Sequence, residues 1–451
     1  MTELEQLSKF IVELNLENVT QKVIEAIKLC VLDSFSVAVG ASKDELVENI
    51  IKEYKKLYHV ESDNDVLVWG HNIKLPFVQA AFINSLMGHR LELDDVHTNS
   101  KTHIGTVVVP AAICLSQYLN STSKEFLEAV LCGYETMSRI GMGFGVSSHR
   151  NKGWHVTSTA GTFGAAAVAA KLFKLNENET ANALGMAGTQ SFGLWAFLED
   201  SASSKILHPA RATSCGIEAA ILAKSGMTGP KNILNAKDGS LYKAMSDEYE
   251  LSLVTKDLGL IYEILNMDNK PYPCCRSTHC SIDSALYLRD KYNININQIK
   301  EIQIDTYLVG YKQCGLTEGS ISPKTSTEAK FSTPYTFATA FIYGSVTLEH
   351  FNIQSITDTK VQTLLKKVKV KPNEEFTKTY PEHWGCKSKI SMLGGQEFEV
   401  EIKDALGSVY NPITKNEIER KVAPLIKIAH ENENDIIEKI LNIEKYKNIS
   451  L

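Results

Sequence analysis

The sequence is short of the features that announce several large functional classes. It has no long run of basic residues, and its formal net charge over 451 residues is −6, so the electrostatic footprint of a nucleic-acid binder is missing. No apolar stretch approaches the length needed to cross a bilayer. The opening "MTELEQLSKFIVELNLENVTQ" reads as an acidic amphipathic helix, without the basic n-region and apolar core of a signal peptide. A cytoplasmic protein with neither nucleic acid nor membrane as partner is expected. The nine cysteines are odd in number and scattered. Their one cluster, Cys274, Cys275 and Cys280, contains no CxxC pair and has no second cluster to complete a structural zinc site. That excludes a secreted disulfide framework and leaves mostly buried free thiols. The glycines of "GMGFG" (141–145) follow no convincing strand and do not make GxGxxG, so no dinucleotide cofactor is inferred. Neither HExxH nor His-x-His occurs, and internal repeats and low-complexity linkers are absent as well.

What is present is an ordinary globular composition, 43% hydrophobic and 22% charged, in a chain long enough for two domains. Residues 1 to about 266 carry helical periodicity. "TQKVIEAIKLCVLDSFSVAVGAS" spaces its apolar residues by three and four and stops at Gly40. "LPFVQAAFINSLMGHRLE" is apolar nearly all round, as in a helix buried within a bundle. "TAGTFGAAAVAAKLFKL" and "ATSCGIEAAILAKSGM" are rich in Ala and Gly, which suits tightly crossing helices, and "DVLVWG" (65–70) is a lone short strand. Over 267–400 the pattern changes: "IKEIQIDTYLVGY", "KKVKVKP" and "KISMLGGQEFEVEIKDALG" alternate with period two, around a helical "TPYTFATAFIYGS". Residues 401–451 end in helical pattern again. The fold class expected is mainly α: a large helical domain (1–266), an inserted α+β domain (267–400), and a C-terminal segment (401–451) completing the first.

Three stretches gather ionisable groups in apolar surroundings. In "LELDDVHTNSKTH", Asp94, Asp95, His97 and His103 could ligate a metal, although no ligand spacing supports one. The same residues could transfer protons, with a carboxylate fixing the tautomer of an imidazole that titrates near neutrality. The plainer alternative is a polar loop in which Asp94 or Asp95 caps a helix or satisfies backbone N–H groups. In "SASSKILHPARATSCGIEAA", Lys205, His208 and Arg211 stand beside the start of a small-residue helix and could hold an anion, or Lys205 could be a solvated surface lysine. In "KPYPCCRSTHCSIDSA", Arg276 and His279 suit recognition of a carboxylate, while Cys275 reads as a buried thiol in preference to a reactive one. His155 precedes a small-residue helix, and Tyr335 could donate a proton to a leaving oxygen or simply pack.

Seven ordered blocks, "INSLMGHRLELDDVH", "THIGTVVVPAA", "WHVTSTAGTFGAAAVAAKLFKL", "ILHPARATSCGIEAAILAKSGMTGP", "KPYPCCRSTH", "EAKFSTPYTFATAF" and "YNPITKNEIERK", together resemble the MmgE/PrpD family. That family includes 2-methylcitrate dehydratase, cis-aconitate decarboxylase and iminodisuccinate epimerase. The resemblance implies that the inserted domain is a lid, that the protein is a homodimer, and that its chemistry uses neither metal nor organic cofactor. It places the family's loop acids on Glu92, Asp94 and Asp95, its loop histidine on His103, its lysine on Lys205, its lid-helix tyrosine on Tyr335 and a pocket histidine on His155. Glu92 stands where the decarboxylase pattern has Asp, Val96 where it has Thr, and Cys275 where it has a pocket histidine; the loop before His103 is one residue longer. These departures favour a dehydratase of a small di- or tricarboxylic acid, with an epimerase as alternative, over cis-aconitate decarboxylation. The expected roles are His103 as base, Asp94 or Asp95 as its partner, Lys205 and Arg276 on carboxylates, and Tyr335 or His155 as acid. Glu92, Cys275, His279 and His208 would complete the substrate site. A non-catalytic binder of small acids is the rival from another class.

Overall fold

The structure is a computed structural model that describes residues 1–58 and 62–449. The chain folds into two compact units: Met1–Trp195, Ser204–Asn269 and Thr414–Leu451 form one, and Ala196–Ser203 with Lys270–Ile413 form the other. Among the described residues no helix is long and apolar enough to cross a membrane. All nine cysteines are free and buried.

The first unit is built of helices, and the sequence explains where they stop and how closely they approach. Gln21–Gly40 ends where expected, at the glycine that closes its apolar pattern, and Phe77–Gly88 stops short of the quoted "HRLE". Val156–Leu172 and Leu207–Lys224 are the small-residue helices, and they cross almost backbone to backbone. A Cβ on Gly216 would lie 2.4 Å from the carbonyl oxygen of Thr162 and 2.6 Å from Ala165 Cβ. That crossing brings His155, the residue just before one helix, alongside His208 in the first turn of the other.

The helix Gly105–Leu119 contains Pro110, which can offer no N–H to the carbonyl of Thr106. That carbonyl instead accepts the hydroxyl of Ser85, and the Thr106 hydroxyl donates to the Ser85 carbonyl at 2.9 Å. This reciprocal lacing ties Phe77–Gly88 to Gly105–Leu119, and so pins both ends of the loop between them. The strand expected at 65–70 is half of a minimal hairpin: Val66–Leu67 pairs antiparallel with Lys74–Leu75. Two residues per strand are too few for an alternation to register, so the partner is invisible to periodicity.

The second unit carries one four-stranded sheet in the order Val368–Pro372, Ile299–Thr306, Cys386–Met392, Glu397–Ile402. The first pair is parallel and the rest antiparallel. Along Cys386–Met392 alternate residues are buried, the pattern of a strand with one face on a core. That core includes Ile302, Ile304 and Ile390 from the sheet, with Ile282, Ala285 and Leu288 of the helix His279–Lys291 and Phe337 and Phe341 of Thr333–Tyr343. The stretch "IKEIQIDTYLVGY" does not run as one strand: it ends at Thr306, and Leu308–Cys314 is helical. Alternation indeed fails there, with Leu308 and Val309 adjacent.

The close crossing of the small-residue helices generates a stability prediction. Gly216→Val forces a side chain against backbone that cannot retreat, and is expected to cost about 3 kcal/mol, at the upper end for overpacking. Urea denaturation of the two proteins side by side measures it; an unchanged midpoint would show that the helices can separate.

Candidate active site

The loop between the laced helices gathers His89, Glu92, Asp94, Asp95, His97 and His103, and all six are buried. Asp94 is its centre. One of its carboxylate oxygens, Oδ2, lies 2.7 Å from His89 Nδ1 and 3.0 Å from His103 Nδ1. His103 Nδ1 also lies 2.9 Å from the backbone carbonyl of Asp95, which can only accept, so this nitrogen carries the proton. In a neutral His103 the lone pair is then on Nε2. The backbone N–H of His103 donates to Thr157 Oγ1 at 3.1 Å, which locks the residue from its main chain as well. His89 has the same arrangement about an ionised Asp94, and its Nε2 is buried and makes no hydrogen bond among the described residues. The two rings stand edge to face with centroids 4.7 Å apart.

Asp95 faces the other way. Its carboxylate accepts the N–H of Gly105, the first residue of the following helix, at 3.0 Å, and the hydroxyl of Tyr134 at 2.8 Å. The plainer alternative, backbone capping, therefore describes Asp95, whereas the side-chain partner of His103 is Asp94. Burial first and the nearby Asp33 carboxylate second push Asp95 up to about 7, against the pull of its Tyr134 and Gly105 hydrogen bonds. His97 is drawn away too: its Nε2 lies 3.1 Å from Glu263 and its Nδ1 2.8 Å from Ser100 Oγ. Val96–His97 pairs with Met267–Asp268 in a short antiparallel ladder, so this half of the loop is held by structure.

Glu92 and Lys205 form a buried ion pair. Lys205 is accordingly not the solvated lysine that composition allowed; it is 5% exposed. Glu92 has φ 57°, a left-handed conformation that costs a non-glycine residue energy, so its carboxylate is aimed at the lysine by a backbone under strain. His155 and His208 meet through their Nδ1 atoms at 2.8 Å, which requires one proton between the two nitrogens. Burial lowers both from the ordinary imidazole range, His155 far and His208 to about 4, with neighbouring histidines and Lys205 adding to the effect. Trp195 stands edge-on to His155 at 4.9 Å, under the Arg150 guanidinium.

The other sequence candidates belong to the second unit. Arg276 donates from Nη1 to the carbonyl of Leu406 and lies 3.0 Å from His279 Nδ1. Cys275 is buried and its N–H donates to the Lys330 carbonyl. The Tyr335 hydroxyl donates to the carbonyl of His350, and burial pushes it up to about 12.

His89 is the residue that sequence reading passes over. It closes an apolar helical block and reads as part of its cap; only its i, i+5 relation to Asp94 signals otherwise. A divalent cation, if one binds, has one set of three ligands among the described residues, His89, Asp94 and His103, whose ligand atoms lie within 4.8 Å of one another. This differs from the Asp94, Asp95, His97 and His103 set suggested by proximity in sequence, because Asp95 and His97 are engaged elsewhere.

Comparison with known proteins bears on the whole chain. A family model described as the MmgE/PrpD N-terminal domain matches residues 5–254, and one described as the MmgE/PrpD C-terminal domain matches residues 272–444. A cis-aconitate decarboxylase-like protein of Aspergillus oryzae is 24% identical, over 99% of this chain and 95% of its own length. The cis-aconitate decarboxylase of Mus musculus is 26% identical over 90% of this chain and 83% of its own, and that of Aspergillus terreus 23% over 96% and 91%.

The Asp95 environment predicts a pH effect of definite sign. Folded Asp95 keeps its proton up to about pH 7, whereas in the unfolded chain an aspartate loses it near pH 4. Between those values the folded state binds more protons, so its stability falls as pH rises. Relative to Asp95→Asn, the wild type is expected to lose melting temperature across this window and to run parallel to it above. A constant difference from about pH 4 to 8 would contradict the assignment.

Proposed function

Because the chain belongs to the MmgE/PrpD family, we propose that it is a lyase of small polycarboxylic acids, working by acid/base chemistry at the carbon next to a carboxylate. The observation that carries the proposal is the Asp94 carboxylate shared by His89 and His103. A proton on such a carbon is weakly acidic, so its removal needs a base held in the correct tautomer and a counter-charge for the imidazolium that forms. His103 is that base through Nε2. Asp94 supplies the charge and the orientation. His89 donates to the same Asp94 oxygen and so helps to keep that carboxylate ionised and in place.

Lys205 is the cation offered to a substrate carboxylate or to the developing enolate-like charge, in exchange for its pairing with Glu92. His155 and His208 are neutral as they stand, which suits hydrogen-bond donation. Either would become a proton donor to a leaving hydroxyl only once the negative charge of a bound polycarboxylate raised its proton affinity.

Elimination of water from a 2-methylcitrate-like hydroxy acid is the first reading, because Glu92, Val96 and Cys275 replace groups of the decarboxylase pattern. Loss of carbon dioxide from cis-aconitate is the second, favoured by the names of the relatives. Incubation with 2-methylcitrate, citrate and cis-aconitate separates them: a new conjugated double bond marks elimination, and released carbon dioxide marks decarboxylation. Exchange of substrate hydrogen for solvent deuterium with no net conversion would instead indicate an epimerase, and tight binding with neither exchange nor product a non-catalytic binder.

His103→Ala is expected to lower kcat by about 10²- to 10⁴-fold, the usual worth of a general base. Full turnover by that variant would refute the assignment. Activity is also expected to survive exhaustive chelation; a complete loss reversed by adding a divalent metal would recast His89, Asp94 and His103 as its ligands.

A further inference from the structure

The loop that carries Glu92, Asp94 and Asp95 is gripped from a part of the chain more than three hundred residues away. Lys421 lies on the helix Lys415–Ile426, in the C-terminal segment. Its ammonium donates at 2.9 Å to the backbone carbonyl of Leu93, the residue immediately before Asp94, and at 2.6 Å to Asp33 Oδ1 on the helix Gln21–Gly40. Both side chains are buried, Lys421 at 9% exposure and Asp33 at 0%.

A buried ion pair by itself is weak grounds for function, since desolvation cancels much of its attraction. Two features set this one apart. The first is that the lysine spends a donor on the main chain of the loop itself. The second is close packing at the same junction: a Cβ on Gly40 would meet Leu425 at 2.9 Å and Leu91 at 3.2 Å. Helix 21–40, helix 415–426 and the start of the loop therefore meet without slack. From Leu93 onward the chain runs directly into the Asp94 carboxylate and then the Asp95 carbonyl, the two groups that hold His103 Nδ1.

We infer that Lys421, seated on Asp33, is a positioning residue: it fixes the Leu93 carbonyl and thereby the height of Asp94 and Asp95 beneath His103. It touches neither substrate nor reacting atoms. The inference rests on the reading of His103 as the base in a lyase site. It assigns a role in that site to the C-terminal helix, which sequence patterning marked only as a closing element of the helical domain.

The test uses the full chain and three variants: Lys421→Met, Lys421→Arg, and the double variant Asp33→Asn/Lys421→Met. With whichever of 2-methylcitrate, citrate or cis-aconitate is turned over, Lys421→Met is expected to lower kcat about 30-fold with KM within about twofold, the scale of a sub-ångström misplacement. Lys421→Arg, which keeps a donor for both oxygens, is expected to recover most of it. The double variant removes the uncompensated buried carboxylate, so it should melt close to wild type yet keep the low kcat. Recovery of kcat together with melting temperature in the double variant would reduce Lys421 to charge balance and overturn the inference. A readout independent of turnover is the ¹⁵N signature of the imidazoles, with His103 assigned by its disappearance in His103→Gln. Wild type should show His103 protonated at Nδ1 alone, and the double variant a mixture of tautomers; an unchanged tautomer also overturns the inference. Full turnover by His103→Ala would fell the proposed function itself, whereas its loss alongside unaffected Lys421 variants would fell this inference alone.

Discussion

One carboxylate with two imidazoles on the same oxygen is the constraint around which the first unit is arranged. A buried Asp94 is costly to hold without donors, and the loop supplies two of them by placing His89 before it and His103 after it. Once both Nδ1 atoms are committed, both Nε2 atoms are the remaining basic positions. The tautomers, and with them the direction in which protons can be taken, follow from that single sharing. Everything near it serves to keep Asp94 where two histidines can reach it.

The supports come from elements far apart in the chain. Ser85 and Thr106 lace the two helices that flank the loop, and a proline makes that lacing necessary by leaving a carbonyl without its helical partner. Asp95 ties the loop to the start of the second helix and to Tyr134, while His97, Glu263 and the short Val96–His97 ladder hold its middle. Lys421 and Asp33 hold its beginning. Held at its start, its middle and both flanking helices, the loop is stiff.

The buried charges are balanced in different ways. Lys205 is balanced by Glu92, Lys421 by Asp33, and Arg139 lies beside Glu135. Asp95 has no such cation among its closest partners and holds a proton far above the ordinary aspartate range. The His155–His208 pair answers burial in the opposite sense, by staying uncharged. A bound polycarboxylate would bring several negative charges into these surroundings, so Lys205 and the two neutral histidines are the groups whose state a ligand would change most.

Much of the architecture was legible in the sequence because it rests on local pattern. Gly40 closes an apolar helix, the Ala- and Gly-rich blocks announce helices that cross closely, and period-two alternation finds the strands of the second unit. The richness of "LELDDVHTNSKTH" in ionisable groups between apolar helices is equally plain. What the tertiary structure alone decided is which of those groups face one another. Asp94 and Asp95 are neighbours in a chain whose side chains diverge, so one meets His89 and His103 and the other accepts the first N–H of a helix. His97 and His103 have the same chemistry and opposite fates. His89 joins the site from the end of a helix, Lys205 finds Glu92 across 113 residues, and Lys421 reaches Leu93 across 328. Local spacing encodes helices and strands because hydrogen bonding and burial along them are periodic. A constellation of side chains has no period, and only packing sets it.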